Sequence, residues 1–214
     1  MTPIRVRTWA VAGLLLASAV TTAGCSGSGS GNGGGSAHDS SSGTHTPQRP
    51  SSGTVPTESN PPGDIPDNQA FVAYHPPGGG FILKVPEGWA RTDKGGTTVF
   101  TDKLNRVQIS PANVTSPPTV NSVTHQVIPL LHGQVAKFAR PKVSQVDRKA
   151  GRVLLLTYQG DSAADPVTGK VVRDAFERYA FQRQGHEVDL TLSGPVKADN
   201  VDPWRTISDS FAWR

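Results

Sequence analysis

Cysteine occurs once in the 214 residues, as Cys25, and methionine only as Met1. A single cysteine excludes a disulfide framework, a cysteine-rich zinc site and a dithiol redox motif. Aromatic side chains make up 7% of the chain and charged ones 18%. The formal charge is +4, and without Arg5 and Arg7 it falls to 19 basic against 17 acidic residues. That balance is too even for a nucleic-acid-binding surface, so no nucleic acid is expected as partner. Long apolar runs are also missing. The longest, residues 9–20, is interrupted by Ser18 and falls short of the roughly 20 residues that a spanning helix needs.

That short run has a purpose consistent with its flanks. Arg5 and Arg7 precede it, and Thr22-Ala23-Gly24-Cys25 closes it, in the layout of an export signal. Ala23-Gly24-Cys25 resembles the lipobox of bacterial lipoproteins, although Thr22 stands where Leu is most often found. The resemblance implies cleavage after residue 24, a lipid anchor carrying acyl chains such as palmitate on Cys25, and residence on the outer face of the cytoplasmic membrane. Two or more acyl chains make such an anchor stable, where one gives only reversible binding.

Residues 26–66 contain nine glycines and only Ala37, Val55 and Ile65 as apolar side chains. Such a segment cannot bury enough surface to offset the entropy of ordering it. The expected organisation is a signal peptide at 1–24, a Gly/Ser/Pro linker at 25–66 and one globular domain at 67–214. As a coil the linker would have a root-mean-square span of roughly 35 Å. All seven phenylalanines, all three tyrosines and three of the four tryptophans lie in the domain.

Within the domain, residues 71–74 and 81–85 read as strands joined by the turn Pro76-Pro77-Gly78-Gly79-Gly80. Residues 97–101 and 106–110 read as a second hairpin. Val123, Val127, Leu131, Val135 and Phe138 form a helical stripe, with Pro129 expected to kink it or begin a new segment. Three longer strands follow at 152–158, 171–182 and 187–193. Asp202-Pro203 reads as the N-cap and first position of a short helix carrying Trp204 and Ile207 inward, and Phe211 and Trp213 read as a closing strand. Turns too short for parallel crossovers imply a largely antiparallel sheet with packed helices, an α+β fold.

This order of elements, with Val85-Pro86-Glu87-Gly88-Trp89 after the first hairpin and Gly96 to Thr101 in the second, resembles the actinobacterial LpqN/LpqT lipoproteins with a PsbP-like domain. The resemblance spans the domain, the linker and the lipobox. It implies an α/β/α sandwich and a non-enzymatic role in the cell envelope, binding envelope or secreted proteins. It supplies no catalytic residue.

Enzyme signatures fail on chemistry. Gly160-Asp161-Ser162 lacks the downstream Asp-x-x-His that a GDSL-type hydrolase needs, and Asp209-Ser210-Phe211-Ala212 contains no histidine. Gly169-Lys170 has the wrong spacing from Gly160 for a phosphate loop, with Val171 in place of the hydroxyl that would bind Mg²⁺. His186-Glu187 has no second histidine of a zinc helix. His125 and His132, seven residues apart, would be about 10.5 Å apart along a continuous helix, beyond a shared zinc. Neither a catalytic residue nor a metal or other cofactor is expected.

Two surfaces remain. Between Lys137 and Arg152, six basic residues face only Asp147. Lys142, Arg148 and Lys149 are either a solvated sheet edge that discourages aggregation or a contact for anionic headgroups or an acidic partner. Trp89, Asp199 and Asp202 are either core and turn residues or the rim of a groove. The function expected is a lipid-anchored, non-enzymatic adaptor for envelope or secreted proteins. The alternative is a small-ligand or glycolipid carrier with a cavity between sheet and helix.

Overall fold

The computed structural model describes residues 61–165 and 168–214; the signal segment, Cys25 and nearly all of the linker lie outside them. Strict alternation organises the sheet. In β9 (His186–Pro195), Val188, Leu190 and Leu192 are 2%, 0% and 0% exposed, while Glu187, Asp189 and Thr191 on the other face stay partly open. Successive side chains of a strand point to opposite faces, so this pattern gives the strand one apolar and one polar side.

Around β9 a seven-stranded sheet forms in the order β3-β4-β5-β9-β8-β7-β6. Its members are β3 (Ala90–Lys94), β4 (Thr97–Asp102), β5 (Asn105–Asn113), β6 (Ala139–Arg148), β7 (Gly151–Asp161) and β8 (Arg173–Arg183). Every neighbouring pair is antiparallel. A second sheet has β2 (Phe81–Pro86) between β1 (Phe71–Tyr74) and β10 (Ala212–Trp213), again antiparallel. The α+β sandwich expected from the sequence is therefore the fold. The edge strands β3 and β6 were not anticipated, because β3 is exposed throughout and β6 has no fully buried residue to reveal a period.

One face of the large sheet packs on the small sheet and on α3 (Val201–Asp209). Phe81, Leu83, Val85, Val107, Ile109, Tyr179, Phe181, Leu190, Ile207 and Phe211 fill that core. Phe81 and Phe211 stack at 5.4 Å, and Phe211 and Phe181 at 4.0 Å between ring centres, tying both layers together. The Val-Pro-x-Gly-Trp element closes β2. Glu87 N–H bonds the Ala70 carbonyl at 2.8 Å, Gly88 turns the chain at φ +82°, and Trp89 is half-buried against the core.

The opposite face is covered only in part, by α1 (Val120–Ser122), a π-helical turn at Val123–Val127, and α2 (Ile128–Gln134). Val123, Val127, Leu131, Val135 and Phe138 all meet Leu154, Leu156, Tyr158 and Ala180 in a second core. Pro129 begins a new segment, as one of the two expectations had it: α2 starts at Ile128 and carries the proline in its first turn. Its missing N–H and its ring conflict with a bond to the carbonyl four residues back, and the wider π turn, in which Ile128 N–H reaches Val123 O, accommodates it.

The cap of α3 differs from expectation. The N-cap is Asn200 rather than Asp202, and Asp202 lies exposed in the first turn, where its charge suits the helix dipole. The Asn200 side chain makes no cap bond because it is committed elsewhere. It accepts from Ile65 N–H at 2.8 Å and donates to Gly63 O and Asn105 Oδ1, both at 3.0 Å. Asn105 also donates to Gly63 O at 2.8 Å. These bonds strap residues 63–65 to the starts of β5 and α3, and Ile65, 4% exposed, joins the main core.

Candidate functional site

At the other pole of the sandwich the two sheets separate and leave a half-open cleft of about 800 Å³. The tight turn after β1 builds one wall. Gly79 and Gly80 have φ of +68° and +85°, a conformation that favours glycine, and Pro76 and Pro77 stiffen the approach. Phe81 and Trp213 line the cleft from the small sheet, and Ile109, Pro111 and Val188 from the large one. The apolar floor is thus the frayed end of the main core.

The rim is polar and pre-arranged. Thr98 Oγ1 donates to Asp93 Oδ1 at 2.6 Å and accepts from the Tyr74 hydroxyl at 2.9 Å. The Thr98 bond and then Arg91 hold the Asp93 carboxyl below its ordinary range, so it stays ionised. Arg183 lies 5.4 Å from the centre of the Trp213 ring and donates to Arg214 O at 2.8 Å. His186 Nδ1 and Asn113 Oδ1 are 3.0 Å apart. Burial and then the neighbouring Asp189 raise the Glu187 carboxyl, while Arg178 opposes the shift. The cleft combines apolar shape with fixed donors and acceptors and is suited to binding.

None of the six candidate surface and rim residues read from the sequence, Trp89, Lys142, Arg148, Lys149, Asp199 and Asp202, lines this cleft. Trp89 packs on the core, and Asp199, whose N–H bonds Asp64 Oδ1 at 3.0 Å, stands with Asp202 near the strap at the far pole. Lys142, Arg148 and Lys149 do not form one patch. Lys142 and Lys149 are exposed, seven residues apart on and just beyond edge strand β6. Arg148 turns inward, with its side chain 13% exposed. It donates to Ser208 Oγ at 3.0 Å and to the Tyr179 hydroxyl at 2.8 Å, and faces Asp209 at 3.6 Å. A largely covered arginine with its donors engaged is a structural clamp.

The cleft residues come from segments spread between Tyr74 and Arg214, which no sequence window joins. The Pro-Pro-Gly-Gly-Gly turn was the one local signal of its position. Ser162 is held in its loop, its hydroxyl donating to Ala163 O at 2.9 Å and accepting from Val172 N at 3.1 Å. Among the described residues no group of three His, Cys, Asp or Glu side chains has metal-binding geometry, and no helix is long and apolar enough to cross a membrane.

The fold and the cleft define an α+β sandwich with a ligand-sized opening between its sheets. No protein-family model matches the chain, and no curated protein matches it. Among solved structures it is similar to cyanobacterial PsbP from Synechocystis sp. PCC 6803, at 15% identity over 68% of this chain and 94% of that one, with a TM-score of 0.49. It is similar to the Ran-binding protein Mog1p of Saccharomyces cerevisiae at 9% identity, covering 67% and 95%, with a TM-score of 0.45. It is also similar to LpqN of Mycobacterium tuberculosis, a protein involved in cell envelope biogenesis, at 13% identity, covering 69% and 92%, with a TM-score of 0.39.

Proposed function

We propose that this chain is a non-enzymatic binding module of the cell envelope, lipid-anchored through Cys25, whose cleft receives a segment of an envelope or secreted protein. The observation that carries this reading is the cleft itself: an apolar floor of Phe81, Ile109, Val188 and Trp213 under a rim of fixed polar groups. Convergent polar groups around an apolar concavity are the usual form of a binding site. The opening is continuous with solvent, so a chain segment enters without the body opening. The strap at residues 63–65 grips the far ends of β5 and β9, which leaves the cleft clear of the tether attachment.

A second reading, a carrier for a small amphiphile or glycolipid, is favoured by the volume of about 800 Å³, inside the range of roughly 300–1,000 Å³ for small-ligand sites. Its cavity would lie between the two sheets. The space between sheet and helix, where the sequence reading put it, is filled by Val123, Leu154, Leu156 and Tyr158.

The test is a photo-crosslinking side chain at Asn113 in the full chain, expressed in its own envelope, with and without Pro111→Trp to fill the cleft. The adaptor reading expects discrete protein adducts that the tryptophan abolishes. Lipid adducts alone, lost in the same variant, select the carrier. Adducts unaffected by Pro111→Trp, or none, remove the cleft as the site.

A further inference from the structure

Asp174 is the one carboxylate residue of the described chain that is buried, at 3% exposure, and its Oδ1 has no hydrogen-bond partner. It lies on β8 opposite Gly160 of β7 and Pro195 of β9. The connection from α2 to β6 sits on this spot. A Cβ at Gly160 would come within 2.1 Å of Val135 Cγ1 and 3.4 Å of Ala136 O, so the missing side chain is what lets the connection reach the sheet. Three contacts then hold it. Asp161 N–H bonds Ala136 O at 2.8 Å, Lys137 Nζ pairs with Asp161 at 2.9 Å, and Arg173 donates to Lys137 O at 2.6 Å. Lys137 is kept at φ +50°, a conformation that a non-glycine residue holds only when its surroundings impose it.

We infer that Asp174 is the proton-sensitive element of a latch that seats residues 135–140 on the sheet when Asp174 is protonated and releases them when it ionises. The charge that acts on it is Asp161 from β7; Arg173 on its own strand and Lys137 from the connection pair with Asp161, and β9 presents Pro195. The neutral acid has no charge to solvate. The ionised one sets a second negative charge near Asp161 in a space closed to water. Relief requires Arg173 or Lys137 to leave its present partner, or water to enter, and each unseats the connection. Release also uncovers Val135 and Phe138, now packed on the second core.

Burial, and then the Asp161 charge, push the Asp174 carboxyl up to about 6, against 3.8 ordinarily. A raised carboxyl favours the folded, seated state most at low pH. That advantage is fully present below the unfolded value and is lost as pH rises through the folded one. Going from about pH 5 to about pH 7.5 therefore weakens the seating by about tenfold.

The experiment is amide hydrogen exchange of residues 135–140 in the full chain, corrected for intrinsic rates, at those two pH values. Wild type should lose protection by about tenfold on going to the higher pH, and the near-isosteric Asp174→Asn should keep the seated level at both. Equal protection of wild type at both pH values, or the same loss in Asp174→Asn, overturns the latch. A carbon-13 titration of the wild-type Asp174 carboxyl, which needs no variant, overturns it if the midpoint falls near 4, the value of a free carboxyl.

Discussion

Replacing Asn200 with alanine tests how the body holds the end of its tether. The side chain, on a residue 4% exposed, accepts from Ile65 N–H and donates to Gly63 O and Asn105 Oδ1. Alanine removes all three bonds. Gly63 O keeps its bond from Asn105, so two buried groups are stranded, the Ile65 N–H and Asn105 Oδ1. Each stranded group costs about 1–3 kcal/mol, and the expected loss is about 4 kcal/mol, a large share of a typical total of about 5–15 kcal/mol. For a domain of this size the melting temperature should drop by about 10 °C. Urea denaturation should show a lower midpoint at unchanged slope, and exchange at the Ile65 amide should rise more than in the sheet. A loss under about 1 kcal/mol would refute the reasoning, since it would mean that water satisfies both groups and the strap adds little. Asn105→Ala should weaken the same strap, and the double variant should lose less than the sum of the two because the side chains share partners.

Two further outcomes follow from packing. Removing residues 26–60 should leave the melting temperature unchanged, whereas extending the deletion through Ile65 should lower it by several degrees, because Ile65 is core and its neighbour Gly63 anchors the strap; calorimetry of the two truncations separates them. Arg148→Ala should cost about 1.5–3 kcal/mol by removing the charge-assisted bonds to Ser208 and Tyr179, while Asp209 keeps its pair with Arg205, and Lys142→Glu and Lys149→Glu should stay within about 0.5 kcal/mol of wild type, all by urea denaturation.

Wherever one face of a strand or helix is buried, the pattern was legible in the sequence. Val188, Leu190 and Leu192 alternate and Val123, Val127 and Leu131 step by four, because burial of one face imposes that period on the residues themselves. Of the two strands around the Gly-rich turn, β2 was visible for the same reason, and β1 from its residue types and the turn that follows it. β3 and β6 were not, since edge strands with little buried surface carry no period. The capping of α3 was misplaced for a related reason. Asp202 has the local chemistry of an N-cap, but the start of the helix is fixed by Asn200, whose side chain bonds residues 95 and 137 positions away.

By itself the sequence determined the low apolar content of residues 26–66 and the antiparallel α+β character of the body, and it set the expectation of an export-type leader, because each rests on composition or on periods within one segment. The cleft, the inward turn of Arg148 and the buried Asp174 were decided by tertiary structure alone. Each depends on which strand ends meet at which pole and on which side chains lose their water, and those are properties of non-local pairing that no local stretch of residues encodes.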